Sequence, residues 1–278
     1  MPYKFSPSSL SLLKECPRCF WLRFRKGIKR PAGIFPSLPN GMDRILKAHF
    51  DSFMRRGELP PELHELEREL DGAVKLFDDV ALLSIWRDNY RGIRWTDKDG
   101  TLYRGAVDNI LMNGDKLIVI DYKTRGYPLK ENTPGYSQNQ MDIYNFLLRK
   151  NDWKTEDYAY LIFYHPLKVR EQGDVVFNVD LVRMEISIEN AMRIFTTALD
   201  LLEGEMPEPA EDCEYCKWVD NCNSEIKPKP TVEMKRDREG DRKGESGRGI
   251  NASRGLRTRQ IKLNNEQDGV LFYSNSKK

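Results

Sequence analysis

Three charged side chains, Asp108, Asp121 and Lys123, stand at spacings that could hold a cation and act on a phosphate. They lie in residues 105–123, GAVDNILMNGDKLIVIDYK, two apolar runs joined by Asn113-Gly114. Asn-Gly between strand-like runs signals a hairpin, because both central residues of a type I′ turn need positive φ. A two-residue turn there pairs Met112 with Asp115, Asp108 with Val119 and Ala106 with Asp121. Side chains alternate faces along a strand, so Asp108, Asp121 and Lys123 share one face. The carboxylates become diagonal neighbours about 7 Å apart. Two hard oxygen donors so placed can grip a divalent ion with an ammonium group beside it. A slip of one residue would turn Asp121 to the opposite face.

The acid-x-lysine pattern carries little alone, since it recurs at Asp152/Lys154, Glu225/Lys227, Glu233/Lys235 and Asp241/Lys243. Asp121/Lys123 differs in closing an apolar run, Leu117-Ile118-Val119-Ile120. The plain alternative is a salt-bridged strand end. A second stretch with chemistry is Cys213-x2-Cys216-x5-Cys222, with Cys16-x2-Cys19 near the start. Thiolates are soft ligands suited to zinc or iron–sulfur centres. Two completions fit: a zinc site from Cys16, Cys19, Cys213 and Cys216, or a [4Fe–4S] cluster on Cys16, Cys213, Cys216 and Cys222 that leaves Cys19 spare.

The elements that position these groups follow from pattern. Ser6-Pro7 reads as a helix start, with Pro17 bending or restarting the helix. Arg23, Arg25, Lys26, Lys29 and Arg30, interleaved with Trp21, Phe24 and Ile28, suit either a solvated helix face or a single nucleic-acid strand. Residues 31–40 read as a loop, and 41–57 as a helix whose stripe is Met42, Ile45, Leu46, His49, Phe50 and Phe53. His49 then points inward, the position of an ordinary core histidine, while Asp43 and Asp51 fall on the exposed side. Residues 62–70 and 76–89 read as helices. Residues 136–150 form another, with Gln140 and Tyr144 one turn apart. Residues 158–164 are a buried strand, 175–186 hold one or two more, and a helix capped by Ser187 runs to Gly204. The sum is an α/β fold: a mixed central sheet flanked by helices.

The chain has 278 residues, five cysteines and a net charge of +2. The charge is uneven: −4 over residues 1–222 and +6 over residues 223–278. The body is therefore no general polyanion binder. An odd cysteine count without an export signal argues against a disulfide framework. With no apolar run near the ~20 residues of a membrane span, the expectation is a soluble, cytoplasmic protein without a membrane partner. Residues 223–278, poor in hydrophobic material apart from 270–273, read as a disordered, charged tail.

Gly105-x-x-Asp108, Asp121-Tyr122-Lys123-Thr124 and Gln140-x3-Tyr144 together resemble the RecB-like branch of the PD-(D/E)XK nuclease superfamily. Val107-Asp108 stands where the family's name-giving Pro-Asp would be. The cysteine order resembles that of AddB-type and CRISPR-associated members. The resemblance implies a restriction-endonuclease-like nuclease domain over residues 1–222. Its parts would be a helical arm and insertion over about 6–95, a catalytic core over about 96–205 and a cysteine cluster at 213–222. It implies Mg²⁺ or Mn²⁺ on Asp108, Asp121, the Tyr122 carbonyl and His49, with Lys123 catalytic and Gln140 and Tyr144 orienting the site. It implies the [4Fe–4S] set, as a staple joining the two ends of the domain. The substrate would be single-stranded DNA or duplex ends, and the partners a helicase or repair or CRISPR-adaptation proteins. Two other classes fit the residues: a non-catalytic, nuclease-fold DNA-binding or scaffold subunit, and a zinc-stabilised protein with an incidental hairpin.

Overall fold

The computed structural model describes residues 2–70 and 74–226. The tail beyond 226, including the basic group from Arg248 to Arg259 and the apolar residues 270–273, lies outside the described residues. Residues 223–226, expected to belong to that tail, are helical.

In chain order the elements are β1 (Lys4–Phe5), α1 (Pro7–Glu15), α2 (Pro17–Lys26), α3 (Ser37–Met54), α4 (His64–Glu69), β2 (Val74–Leu76), α5 (Val80–Arg87), β3 (Ile93–Thr96), β4 (Leu102–Gly105), β5 (Asn109–Asn113), β6 (Lys116–Thr124), α6 (Gln138–Arg149), β7 (Tyr158–Val169), β8 (Val175–Glu185), α7 (Ile188–Glu203) and α8 (Glu214–Ile226). Two sheets result. The larger runs β2-β5-β6-β7-β8 and is mixed, since β6 and β7 are parallel while the other pairs are antiparallel. The smaller is β1-β4-β3. Helix α6 makes the crossover from β6 to β7 and touches β6, β3, β4 and α7. Its residues Met141 to Leu148 are consequently all buried. β6 is central and covered, which is why Leu117 to Ile120 form a continuous apolar run rather than an alternating one.

The hairpin differs from expectation in two ways. The turn residues are Gly114 and Asp115, with Asn113 paired to Lys116 and Asn109 to Ile120. Gly114 takes φ +61° and Asp115 does not have positive φ, the pattern of a type II′ turn with glycine first. Val119 is paired with Ile110 rather than with Asp108, which stands at a bend just before the ladder. The shift is of two residues, so the face of each paired side chain is unchanged. In addition, Gly105 belongs to β4 of the smaller sheet, and residues 106–108 cross between sheets before β5 begins.

Local signals explain the remaining elements. Ser6 caps α1 through a capping box with Ser9, Pro17 restarts the chain as α2, and Ser187 caps α7 by accepting from Asn190 N at 3.0 Å. α3 begins at Ser37, inside the expected loop, and residues 76–89 split into strand β2 and helix α5. Among the described residues no helix is long and apolar enough to cross a membrane.

Candidate functional site

β6 delivers Asp121 and Lys123 just where its apolar run ends, and α6 packs over them. Asp121 is 2% exposed. Its Oδ2 meets Lys123 Nζ, and its Oδ1 accepts from Gln140 Nε2 at 3.1 Å. Gln140 Oε1 accepts from Lys123 Nζ at 2.9 Å, and Gln140 Nε2 also donates to the Tyr144 hydroxyl at 2.7 Å. One amide thus fixes a carboxylate, an ammonium and a phenol. Asp108 completes the group from the bend just before β5. Its Oδ2 accepts the Tyr122 backbone N–H at 3.0 Å, replacing a ladder hydrogen bond. Tyr122 therefore turns its peptide edge, N–H and carbonyl alike, towards Asp108. Its phenol lies in the core against Phe50 and accepts from Asn109 at 2.9 Å.

The electrostatics are those of a site built for a cation. Burial and the negative charge of Asp108 raise the Asp121 carboxyl to about 7, against the opposing pull of Lys123 and Lys47. Burial, reinforced by Asp121, pushes the Tyr144 phenol well above its ordinary range, so it stays protonated. Two neighbouring carboxylates that cannot both ionise cheaply are a fit donor set for Mg²⁺ or Mn²⁺. A cleft of about 290 Å³ opens beside them, lined by Pro39, Asn40, Asp43, Leu46, Tyr122, Lys123 and Thr124.

His49 is not part of this group. Its Nε2 lies 3.2 Å from Glu62, its ring packs edge-on to Phe53, and its side chain is 38% exposed. The buried stripe of α3 is Leu46, Phe50 and Met54, and Ile45 faces outwards. The helix is rotated relative to the apolar pattern, which brings Asp43, Lys47 and Asp51 to the hairpin instead of His49. Lys47 Nζ stands 2.9 Å from Asp108 Oδ1 and 2.9 Å from Asp43. Asp51 binds Arg87 of α5, whose Nε donates to the Asp108 carbonyl at 2.7 Å. Sequence reasoning missed Lys47 and Arg87. Lys47 left a trace in the i, i+4 series Asp43, Lys47, Asp51 beside the apolar stripe, and Arg87 left none.

The cysteines form a second group. Sulfurs of Cys16, Cys19, Cys213 and Cys216 all lie within 4.8 Å of one another, and all four residues are buried. Separations of 3.9 Å (Cys16–Cys216), 3.7 Å (Cys19–Cys213) and 3.6 Å (Cys19–Cys216) are close to the ~3.8 Å between thiolates around one tetrahedral zinc ion. Each Cys-x2-Cys straddles a helix start: Cys16 precedes α2 and Cys213 precedes α8. A helix start favours thiolates beside it, whereas burial pushes the Cys19 and Cys216 thiols up. Burial acts to raise Cys16, but backbone N–H groups of Cys19 and Ala210 bring it down to about 7. Arg30 donates to Cys213 at 3.6 Å and lies over the Tyr215 ring, so it belongs to this centre rather than to an open basic face.

Cys222, expected as a ligand, stands outside the four-sulfur group, and Cys19, expected to be spare, is inside it. The reason is the continuity of α8. Six residues of α-helix carry Cys222 about 9 Å along the axis from Cys216 and onto another face.

The family model described as PD-(D/E)XK nuclease superfamily matches residues 4–223. No curated protein matches the chain.

Proposed function

The chain belongs to the PD-(D/E)XK nuclease superfamily, and on that premise we propose that it hydrolyses phosphodiester bonds of DNA at the Asp108–Asp121–Lys123 site. The observation that carries this reading is the Asp121 carboxylate: its pKa is raised by burial and by Asp108, and it is held between the Gln140 amide and Lys123, which lines the cleft. Asp108, Asp121 and the Tyr122 carbonyl would hold Mg²⁺ or Mn²⁺. When bound, the ion polarises the scissile phosphate and lowers the pKa of a water. Lys123 orients that water and offsets charge growing on the phosphate. Gln140 keeps the Lys123 ammonium in place, and Tyr144 holds Gln140.

The RecB-like branch is supported by the order of the three motifs and by one cysteine, Cys16, before the catalytic segment with the triplet Cys213, Cys216 and Cys222 after it. It makes single-stranded DNA or duplex ends the substrate, in repair or CRISPR-related processing beside a helicase or adaptation proteins. The cysteines would be a structural staple rather than a redox centre. The near-touching sulfurs favour one tetrahedral ion on Cys16, Cys19, Cys213 and Cys216. The Cys213-x2-Cys216-x5-Cys222 spacing favours the second reading, a [4Fe–4S] cluster that takes Cys222 in place of Cys19.

The test is degradation of end-labelled single- and double-stranded DNA with and without Mn²⁺. Asp121→Ala and Lys123→Ala should each abolish Mn²⁺-dependent cleavage in chains that melt cooperatively. Undiminished cleavage by either would end the assignment. DNA binding without cleavage by the unsubstituted chain would instead favour a scaffold subunit.

A further inference from the structure

Every carboxylate oxygen of the two aspartates already stands against a group of the chain, Asp121 Oδ2 by an ion pair alone, without a hydrogen bond. Asp121 is held by Lys123 and Gln140, and Asp108 by the Tyr122 N–H on Oδ2 and Lys47 on Oδ1. Lys47 differs from the other three partners. It comes from α3, far from the hairpin in sequence, and its ammonium has a second carboxylate, Asp43, at an equal 2.9 Å. Asp43 lies one helical turn before it and lines the cleft, 43% exposed, whereas Asp108 is 17% exposed. An ammonium ion and a divalent cation on one carboxylate repel each other, so entry of the cation drives the ammonium towards the outer partner.

We propose that Lys47 is the resident cation of this site, shared between Asp108 and Asp43 while no divalent ion is present, and that it withdraws onto Asp43 alone, its second seat, when one binds. This rests on the cation-dependent nuclease reading above. It makes Lys47 and Asp43 positioning residues that set how tightly the ion is held. Moved to Asp43, the ammonium also stands at the wall of the cleft, within the field felt by a phosphate entering there.

The sign of each substitution follows. Lys47→Met keeps the stem packing and removes the competitor, so the ion binds more tightly, by about tenfold to a hundredfold if one charge-assisted hydrogen bond no longer has to be displaced. Asp43→Asn keeps the competitor and removes its second seat, so the ion binds more weakly, by up to about fivefold for a half-exposed pair. In a Lys47→Met background, Asp43→Asn should change nothing further.

Binding of Mn²⁺ alone to the full chain, followed by the electron paramagnetic resonance of free Mn²⁺ without DNA, reads all three. Opposite shifts in the single variants, with Asp43→Asn silent in the double variant, support the exchange. Weaker or unchanged binding in Lys47→Met would overturn it. Weaker binding on adding Asp43→Asn to Lys47→Met would also overturn it, because Asp43 would then be a ligand itself. Absence of any Asp121-dependent Mn²⁺ binding to the unsubstituted chain would instead strike the nuclease reading.

Discussion

Gly105 and Tyr144 touch so closely that a Cβ on the glycine would stand 2.7 Å from Cδ1 and 2.8 Å from Cε1 of the ring. The contact joins the last residue of the smaller sheet to the helix over the larger one. It gives the glycine of the Gly105-x-x-Asp108 motif a packing role without any chemistry.

Gly105→Ala must therefore push the Tyr144 ring outwards, and with it the amide of Gln140, which reaches Asp121 and Lys123. We expect cleavage to fall at least tenfold and stability by about 1–3 kcal/mol, the cost of overpacking. Tyr144→Phe, which keeps the ring and removes only the hydroxyl, should lose less stability. Gly105→Ala matching the unsubstituted chain in both turnover and melting would show that the contact does not transmit to the site.

The raised Asp121 carboxyl makes the metal-free protein and the metal-bound protein respond to pH in opposite directions. In the metal-free chain the group keeps its proton up to about 7 while the unfolded chain releases it near 4. The folded state then binds more protons, so this group's contribution to stability falls as pH rises from about 4 to 7. Asp121→Asn should gain stability relative to the unsubstituted protein when both are moved from pH 4.5 to pH 8. A bound cation must first expel that proton, so Mn²⁺ affinity should climb about tenfold per pH unit below 7 and level off above it. Calorimetric titrations at several pH values check both; a Mn²⁺ affinity flat from pH 5.5 to 7.5 would contradict the protonated state.

The two cysteine sets separate at Cys19 and Cys222. With one ion on Cys16, Cys19, Cys213 and Cys216, Cys19→Ser should lose the metal and melt well below the unsubstituted chain. Cys222→Ser should keep both. The ion closes a loop of 200 residues between Cys16 and Cys216, a constraint worth about 5 kcal/mol on the loop-closure scale. Metal analysis with an absorbance scan after anaerobic purification reads the outcome. A brown protein bleached by Cys222→Ser and not by Cys19→Ser would restore the cluster.

Long, strongly patterned segments were legible in the sequence. The apolar run of β6, the Ser187 cap and the stripe Ala191, Ile194, Phe195, Ala198, Leu201 and Leu202 of α7, all buried but the partly buried Leu201, each state their own structure. The shared face of Asp121 and Lys123 was legible too, because alternation within one strand, β6, needs no register. The smaller sheet was not. β1 has two residues and pairs with Leu102 and Tyr103, 98 positions away, and β4 has only four. No local signal encodes such pairing. α3 misled for a different reason. Its apolar residues span a wide arc, and what fixes its rotation is Lys47 meeting Asp108 and Asp51 meeting Arg87, contacts made with distant parts of the chain.

Each half of the cysteine centre comes from opposite ends of the described chain: Cys16 and Cys19 from the first 20 residues, Cys213 and Cys216 from beyond residue 210. With one ion on all four, a proteolytic nick anywhere between them would leave two fragments that still grip the same atom. Cutting the backbone would then not part the pieces as long as the ion stays, and a chelator would remove that tether in a single step.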